Sequence, residues 1–180
     1  MDVTKESISC QQEQMSRGNL SSKELTAAYL KRIQQYDQNG PKINAVAELN
    51  PDAIFTAEAL DRERLLRGPR GPLHGIPVLL KDNISTGDKM HTTAGSEALA
   101  DNFARKDAPL VKQLRKAGAV ILGKANLSEF ARYIAQEFPD GYSSRCGQVK
   151  NPYDASFPVS GSSSGSAAAA AGCFCSAAVG

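Results

Sequence analysis

Ile76-Pro-Val-Leu-Leu80 is a run of apolar residues with no polar residue inside it. A strand with one wet face alternates apolar and polar side chains, so an unbroken run predicts a strand covered on both faces. Pro77 lacks a backbone N–H, which confines it to the start of such a strand or to a sheet edge. Ile43–Leu49 and Val120–Leu122 are further strand candidates. Helical patterns lie between them. Ser21-x-x-Glu24 is a capping box, followed by Leu25, Tyr29 and Ile33 on one face. Asn50-Pro51 predicts an N-cap and a first-turn proline for a helix ending at Gly68, with Ala53, Ala57 and Leu60 inward. Asp107 is expected to cap a third helix, with Leu110, Val111, Leu114 and Ala117 inward and Gly118 as its left-handed stop. Lys5–Arg17 is a weaker amphipathic segment, and Gln136–Pro158, rich in Gly, Pro, Ser and Asp, predicts a long loop. Helix and strand alternate, so the expected class is α/β, a sheet with helices on both faces.

Charge narrows the partners. Twenty-one basic and 19 acidic residues leave a net +2, which argues against a nucleic-acid or membrane surface held by charge. The start, Met1-Asp-Val-Thr-Lys-Glu6, has no apolar secretory core, which predicts a cytoplasmic chain. Ala167–Val179 is made of small residues and interrupted by Gly172 and Ser176, a poor membrane span. Cys10, Cys146, Cys173 and Cys175 lack zinc-site spacing and predict reduced thiols, with no metal and no cofactor.

The chemistry concentrates at two places. Lys81 directly follows the apolar run, at the strand end where ligands collect in α/β sheets. It is either a base made neutral by burial or a solvated lysine paired with Asp82. Ser160-Gly-Ser-Ser-Ser-Gly-Ser166 is either a flexible linker or a loop feeding a helix that begins in the alanine run Ala167–Ala171. No lysine follows Gly165, so it is not a Walker-type phosphate loop. Cys146 with His74 or His91 is a weaker thiol-hydrolase candidate, and His74 reads better as structural.

Five ordered segments carry a resemblance. They are Gly71-Pro-Leu-His-Gly-Ile-Pro-Val-Leu-Leu-Lys-Asp-Asn83, Thr92-Thr-Ala-Gly-Ser96, Gly118-Ala-Val-Ile-Leu-Gly-Lys-Ala-Asn-Leu-Ser-Glu-Phe130, Asn151-Pro-Tyr153 and Gly161-Ser-Ser-Ser-Gly-Ser166. Together, from about Leu20 to the last residue, the chain resembles the amidase signature family. The resemblance implies a mixed sheet with helices on both faces and hydrolysis of carboxamides by a serine nucleophile, a bridging serine after a cis peptide bond, and a lysine. Lys81 matches the lysine and Ser162 the bridging serine, which places the cis bond at Gly161–Ser162. Ser163 and a turn at Gly165 would hold the loop, and Gly95 and Ser96 match a segment near the family's active site. Ser164, Thr93-Ala-Gly-Ser96 and Leu127-Ser-Glu-Phe130 look closer to peptide amidases than to the glutaminyl-tRNA amidotransferase subunit.

One part has no match. The family's nucleophile follows the bridging serine at a distance that runs past Gly180, and Ser176 is too early. The expectation is therefore the N-terminal part of a single amidase domain. Residues 1–68 would be a helical region and 69–180 the start of the catalytic core, inactive alone and acting, when completed, on a small-molecule or peptide amide. A non-catalytic product and an amidotransferase subunit working with partner chains are the rivals. A sheet lacking later strands would leave an unpaired edge and fold marginally in isolation.

Overall fold

The structure, a computed structural model, describes residues 2–133 and 136–180. Its helices are α1 (Ile8–Ser16), α2 (Ser22–Arg32), α3 (Ala53–Arg67), α4 (Pro109–Lys116) and α5 (Ser164–Ala171), and its strands β1 (Val46–Leu49), β2 (Pro77–Lys81), β3 (Val120–Ala125), β4 (Tyr142–Ser143), β5 (Gly147–Gln148) and β6 (Ala177–Val179). Four strands form a mixed sheet in the order β1-β3-β2-β6. β3 and β6 flank β2 in parallel, and β1 runs antiparallel to β3. Every residue of β2 and β3 is buried, as an apolar run without alternation requires. Pro77 opens β2, where its missing N–H costs no ladder bond inside the strand.

The best local signal is α2. Ser21 accepts from the Glu24 backbone N–H while the Glu24 carboxylate accepts from Ser21, so both halves of the capping box form. Leu25, Tyr29 and Ile33 are fully buried on its inner face.

Other elements depart from expectation for identifiable reasons. β1 starts at Val46 rather than Ile43, because Lys42 and Asn44 take φ of 54° and 60° and their stretch folds back on a π-helical turn, Ile33–Gln38. Asn50 does not cap α3. Its side chain donates to the Ile121 carbonyl at 2.7 Å and accepts from Asp52 N–H, so Asn50-Pro51 forms a turn and α3 begins at Ala53. Asp107 does not cap α4 either. It accepts from the Gly87 N–H and from Arg115 Nε, and Ala108 occupies the cap position before Pro109. Leu110 is 43% exposed, not inward, whereas Val111 is buried. Gly118 takes φ of 82° beyond the helix, as expected. β3 runs past the apolar segment through Gly123 and Lys124, and β6, a short strand of small residues, had no sequence signal. The loop 136–158 carries the small hairpin β4–β5.

Asp37 makes stability pH-dependent. Its carboxylate is buried and accepts from the Ala45 N–H at 2.6 Å and the Val46 N–H at 3.2 Å, pinning the entry to β1. Burial raises its pKa to about 6 even though both hydrogen bonds oppose this. A carboxyl raised in the folded state binds more protons than in the unfolded chain, so its contribution is full below about pH 3.8 and is lost as pH rises through about 6. Urea unfolding at pH 4 and pH 7 should show Asp37→Asn removing a pH-dependent loss on the order of 3 kcal/mol. Parallel pH profiles for the two proteins would assign the loss to other groups.

Candidate active site

Lys81 is the last residue of β2, at the carboxyl end of the parallel strands where side chains from neighbouring loops converge. It is 7% exposed, and its Nζ donates to Ser162 Oγ at 2.7 Å and Ser163 Oγ at 2.9 Å. Burial pushes the amine below the ordinary lysine range. Asp82 does not pair with it. Successive strand residues face opposite sides, and Asp82 points the other way, accepting from the Thr93 hydroxyl and from the backbone N–H groups of Thr93 and Gly95, each at 3.4 Å. The solvated Lys81–Asp82 pair open on sequence grounds is not what forms. Among the described residues its hydrogen-bond partners are hydroxyls, which carry no charge to offset that burial.

The serine segment is no linker. Ser162 follows a cis peptide bond from Gly161. Its carbonyl accepts from the Ser128 N–H at 3.0 Å, and Ser164 Oγ donates to the Ser160 carbonyl at 2.6 Å. α5 then starts at Ser164, so Gly165 sits inside a helix rather than at the expected turn. Glycine is needed there for a different reason. A Cβ at 165 would overlap the Asn126 carbonyl and stand 2.5 Å from the Ala45 carbonyl, while Gly165 N–H donates to Asn126 O at 3.0 Å. Close approach of α5 to the ends of β1 and β3 is what seats Ser162 over Lys81.

Gly95 and Ser96 make no hydrogen bond to Lys81 or Ser162. They lie in the loop that Asp82 holds: Gly95 N–H also donates to Thr93 Oγ1 at 3.1 Å, its carbonyl accepts from Arg145 N–H, and buried Ser96 donates its N–H to the Thr93 carbonyl. Phe130 N–H donates to the Ala94 carbonyl at 2.9 Å, which joins this loop to the segment bearing Ser128.

Sequence reasoning missed three supporting residues inside the segments it quoted. Asn126 receives Ser143 Oγ–H at 2.8 Å and donates to the Asn44 and Gly147 carbonyls. Ser128 Oγ accepts from the Gly141 N–H at 2.8 Å. Lys124 is fully buried, donating to the Ile84 carbonyl at 2.7 Å and Thr92 Oγ1 at 3.0 Å. Its only sequence signal was a lysine continuing an apolar run.

The thiol alternative has no geometry behind it. His74 is fully buried, with Nε2 on the Leu60 carbonyl at 2.9 Å and Nδ1 facing the Arg70 N–H. His91 Nδ1 sits on Glu48 at 2.8 Å, and burial pushes the Cys146 thiol up, away from the thiolate a nucleophile needs. Ser176 is occupied by Gln11 at 2.8 Å and the Tyr29 hydroxyl at 3.1 Å. Among the described residues no three His, Cys, Asp or Glu side chains group as metal ligands, and no helix is long and apolar enough to cross a membrane. A cleft of about 410 Å³ between residues 151–160 and α5 has Ser160 and Ser164 in its wall but not Lys81.

Comparison with known proteins places the chain in a family. A family model described as Amidase matches residues 24–180. A "Probable amidase" of Arabidopsis thaliana is 54% identical over 150 residues, which cover 82% of this chain and 29% of that protein. The A-type subunit of a glutamyl-tRNA(Gln) amidotransferase from Methylobacillus flagellatus is 41% identical over 93% of this chain and 32% of its own length. Among solved structures, the native peptide amidase from Stenotrophomonas maltophilia superposes with a TM-score of 0.93 at 50% identity, over 97% of this chain and 35% of that one. The chain thus spans well under half the length of these relatives.

Proposed function

This chain belongs to the amidase family, and we propose that it carries the base and the bridging hydroxyl of a carboxamide hydrolase. The observation that carries the reading is the buried Lys81 amine 2.7 Å from Ser162 Oγ, with hydroxyls rather than carboxylates as partners. A serine hydroxyl attacks a carbonyl poorly until its proton is removed. Neutral Lys81 takes the Ser162 proton as Ser162 takes that of the attacking serine that the family resemblance implies. A C–O bond forms to the carbonyl carbon, and the relay then runs backward. Lys81 returns the proton through Ser162 to the leaving nitrogen as the C–N bond breaks, because an amide anion is a poor leaving group. Water hydrolyses the acyl-enzyme by the same path, releasing the carboxylic acid. Ser163, the second hydroxyl on Lys81, keeps the amine aimed at the relay.

The substrate class we infer is a primary amide on a small molecule or a peptide, in a cytoplasmic setting, with no cofactor. The 50% identity to a peptide amidase supports the amide substrate. The 41% identity to an amidotransferase component favours a second reading, transfer of the released ammonia to a partner-bound substrate. Ammonia release measured on amidated peptides, with and without candidate partner chains, separates the two. In the protein that carries this chain, Ser162→Ala should lower kcat by about 10²–10⁴-fold, the range for lost proton transfer. Turnover unchanged by that substitution would remove Ser162 from the mechanism.

A further inference from the structure

Two lysines lie at the carboxyl ends of adjacent parallel strands, and their surroundings differ in kind. Lys81 meets the Ser162 and Ser163 hydroxyls. Lys124, paired in register with Leu80, projects to the face that Leu80 and Asp82 share. There the opposite charges of Lys124 and Asp82 grip one dipeptide: Lys124 Nζ donates to Thr92 Oγ1 at 3.0 Å, and the Asp82 carboxylate accepts from the Thr93 hydroxyl. Both side chains are buried, at 0% and 1% exposure, where an unpaired charge is costly.

The geometry points to Lys124 as a positioning residue for Lys81: its ammonium neutralises Asp82 through their shared hold on Thr92-Thr93, so that no uncompensated carboxylate acts on the amine one residue away. An unneutralised Asp82 would stabilise an ammonium at 81 through the poorly screened interior and take away its basicity. Burial pushes Lys124 down, opposed first by Asp82 and then by Asp88 and Glu48, while burial pushes Asp82 up, opposed by Thr93 and Lys124. Arg145 is the other cation acting on Lys124. On the Lys81 side, α5 and β6 contain no titratable side chain. α2 turns Lys23, Glu24 and Lys31 to solvent and directs Arg32 to the Gly172 carbonyl and Asp2. α3 commits Glu58 to Lys23 and Arg62, and Asp61 to the N–H groups of Ser22 and Lys23.

The catalytic consequence rests on the role proposed for Lys81, but the test does not. NMR titration of the Lys81 side chain in the lysine-labelled protein that carries this chain is compared among wild type, Lys124→Met, Asp82→Asn and the double variant. Lys124→Met should raise the Lys81 midpoint by about one pH unit, and Asp82→Asn should lower it. The double variant should return it to near the wild-type value, a pattern of signs that mere loosening would not produce. An unchanged or lowered midpoint in folded Lys124→Met overturns the inference. Should that variant not fold, an unchanged midpoint in Asp82→Asn does so. Because no turnover is read, the expected shifts in a protein without amidase activity would overturn only the hydrolase reading.

Discussion

Lys81→Ala is expected to reduce amide hydrolysis by about 10²–10⁴-fold in the protein that carries this chain. The substitution removes the amine that touches Ser162, so the bridging hydroxyl loses its proton acceptor. Alanine also opens space at the end of β2, which Lys81→Met avoids by keeping an unbranched, buried side chain. Both variants should lose activity equally if basicity is what matters. Burial places the Lys81 pKa below that of an ordinary lysine, so wild-type kcat/KM should fall as pH drops through that lowered value and the amine becomes charged. Lys81→Met should lack this limb and be flat over the same range. Residual activity within tenfold of wild type at neutral pH, measured as ammonia release, would take Lys81 out of the reaction.

Gly165→Ala should be among the most destabilising single substitutions in the chain. The added methyl would overlap the Asn126 carbonyl and lie 2.5 Å from the Ala45 carbonyl and 2.6 Å from Asn126 N. These are backbone atoms at the ends of β3 and β1, so no side chain can rotate away, and α5 must move as a body. Overpacking of this kind costs about 3 kcal/mol, a drop of roughly 6–12 °C in the melting temperature. The displacement would carry Ser162 and Ser163 away from Lys81, so activity should fall with stability. Gly71→Ala is the control. Nothing stands within 4 Å of its added Cβ, and the change should stay within about 0.5 kcal/mol. Thermal unfolding followed by circular dichroism distinguishes the two, and a Gly165→Ala variant melting with wild type would refute the close-approach argument.

The site was legible in the sequence to different depths. Lys81 could be placed at a strand end because an apolar run and the charge that ends it are neighbours in the chain. The serine segment could be placed at a helix N-terminus because alanines follow it directly, although α5 takes in its last three residues, Ser164–Ser166. The roles of Lys81 and Ser162 came from resemblance, since periodicity and capping carry no information about which hydroxyl meets which amine. Lys124 and Asn126 carry no local signal of their roles. A buried lysine looks like any other lysine until its partners are known, and those of Lys124 are a carbonyl 40 residues away and a threonine hydroxyl 32 residues away.

By itself the sequence determined the capping box of α2, the doubly covered β2 and the left-handed stop at Gly118. Each depends on residues within one or two turns of one another. Tertiary structure alone decided that Asp82 turns from Lys81 toward Thr93, that β6 joins β2, that Leu110 faces water, and that Gly165 must be glycine because two strands end against it. Lys81 and Ser162 meet across 81 residues. That contact comes from α5 docking on the completed sheet, and its geometry is set by backbone approach between segments that no local pattern relates.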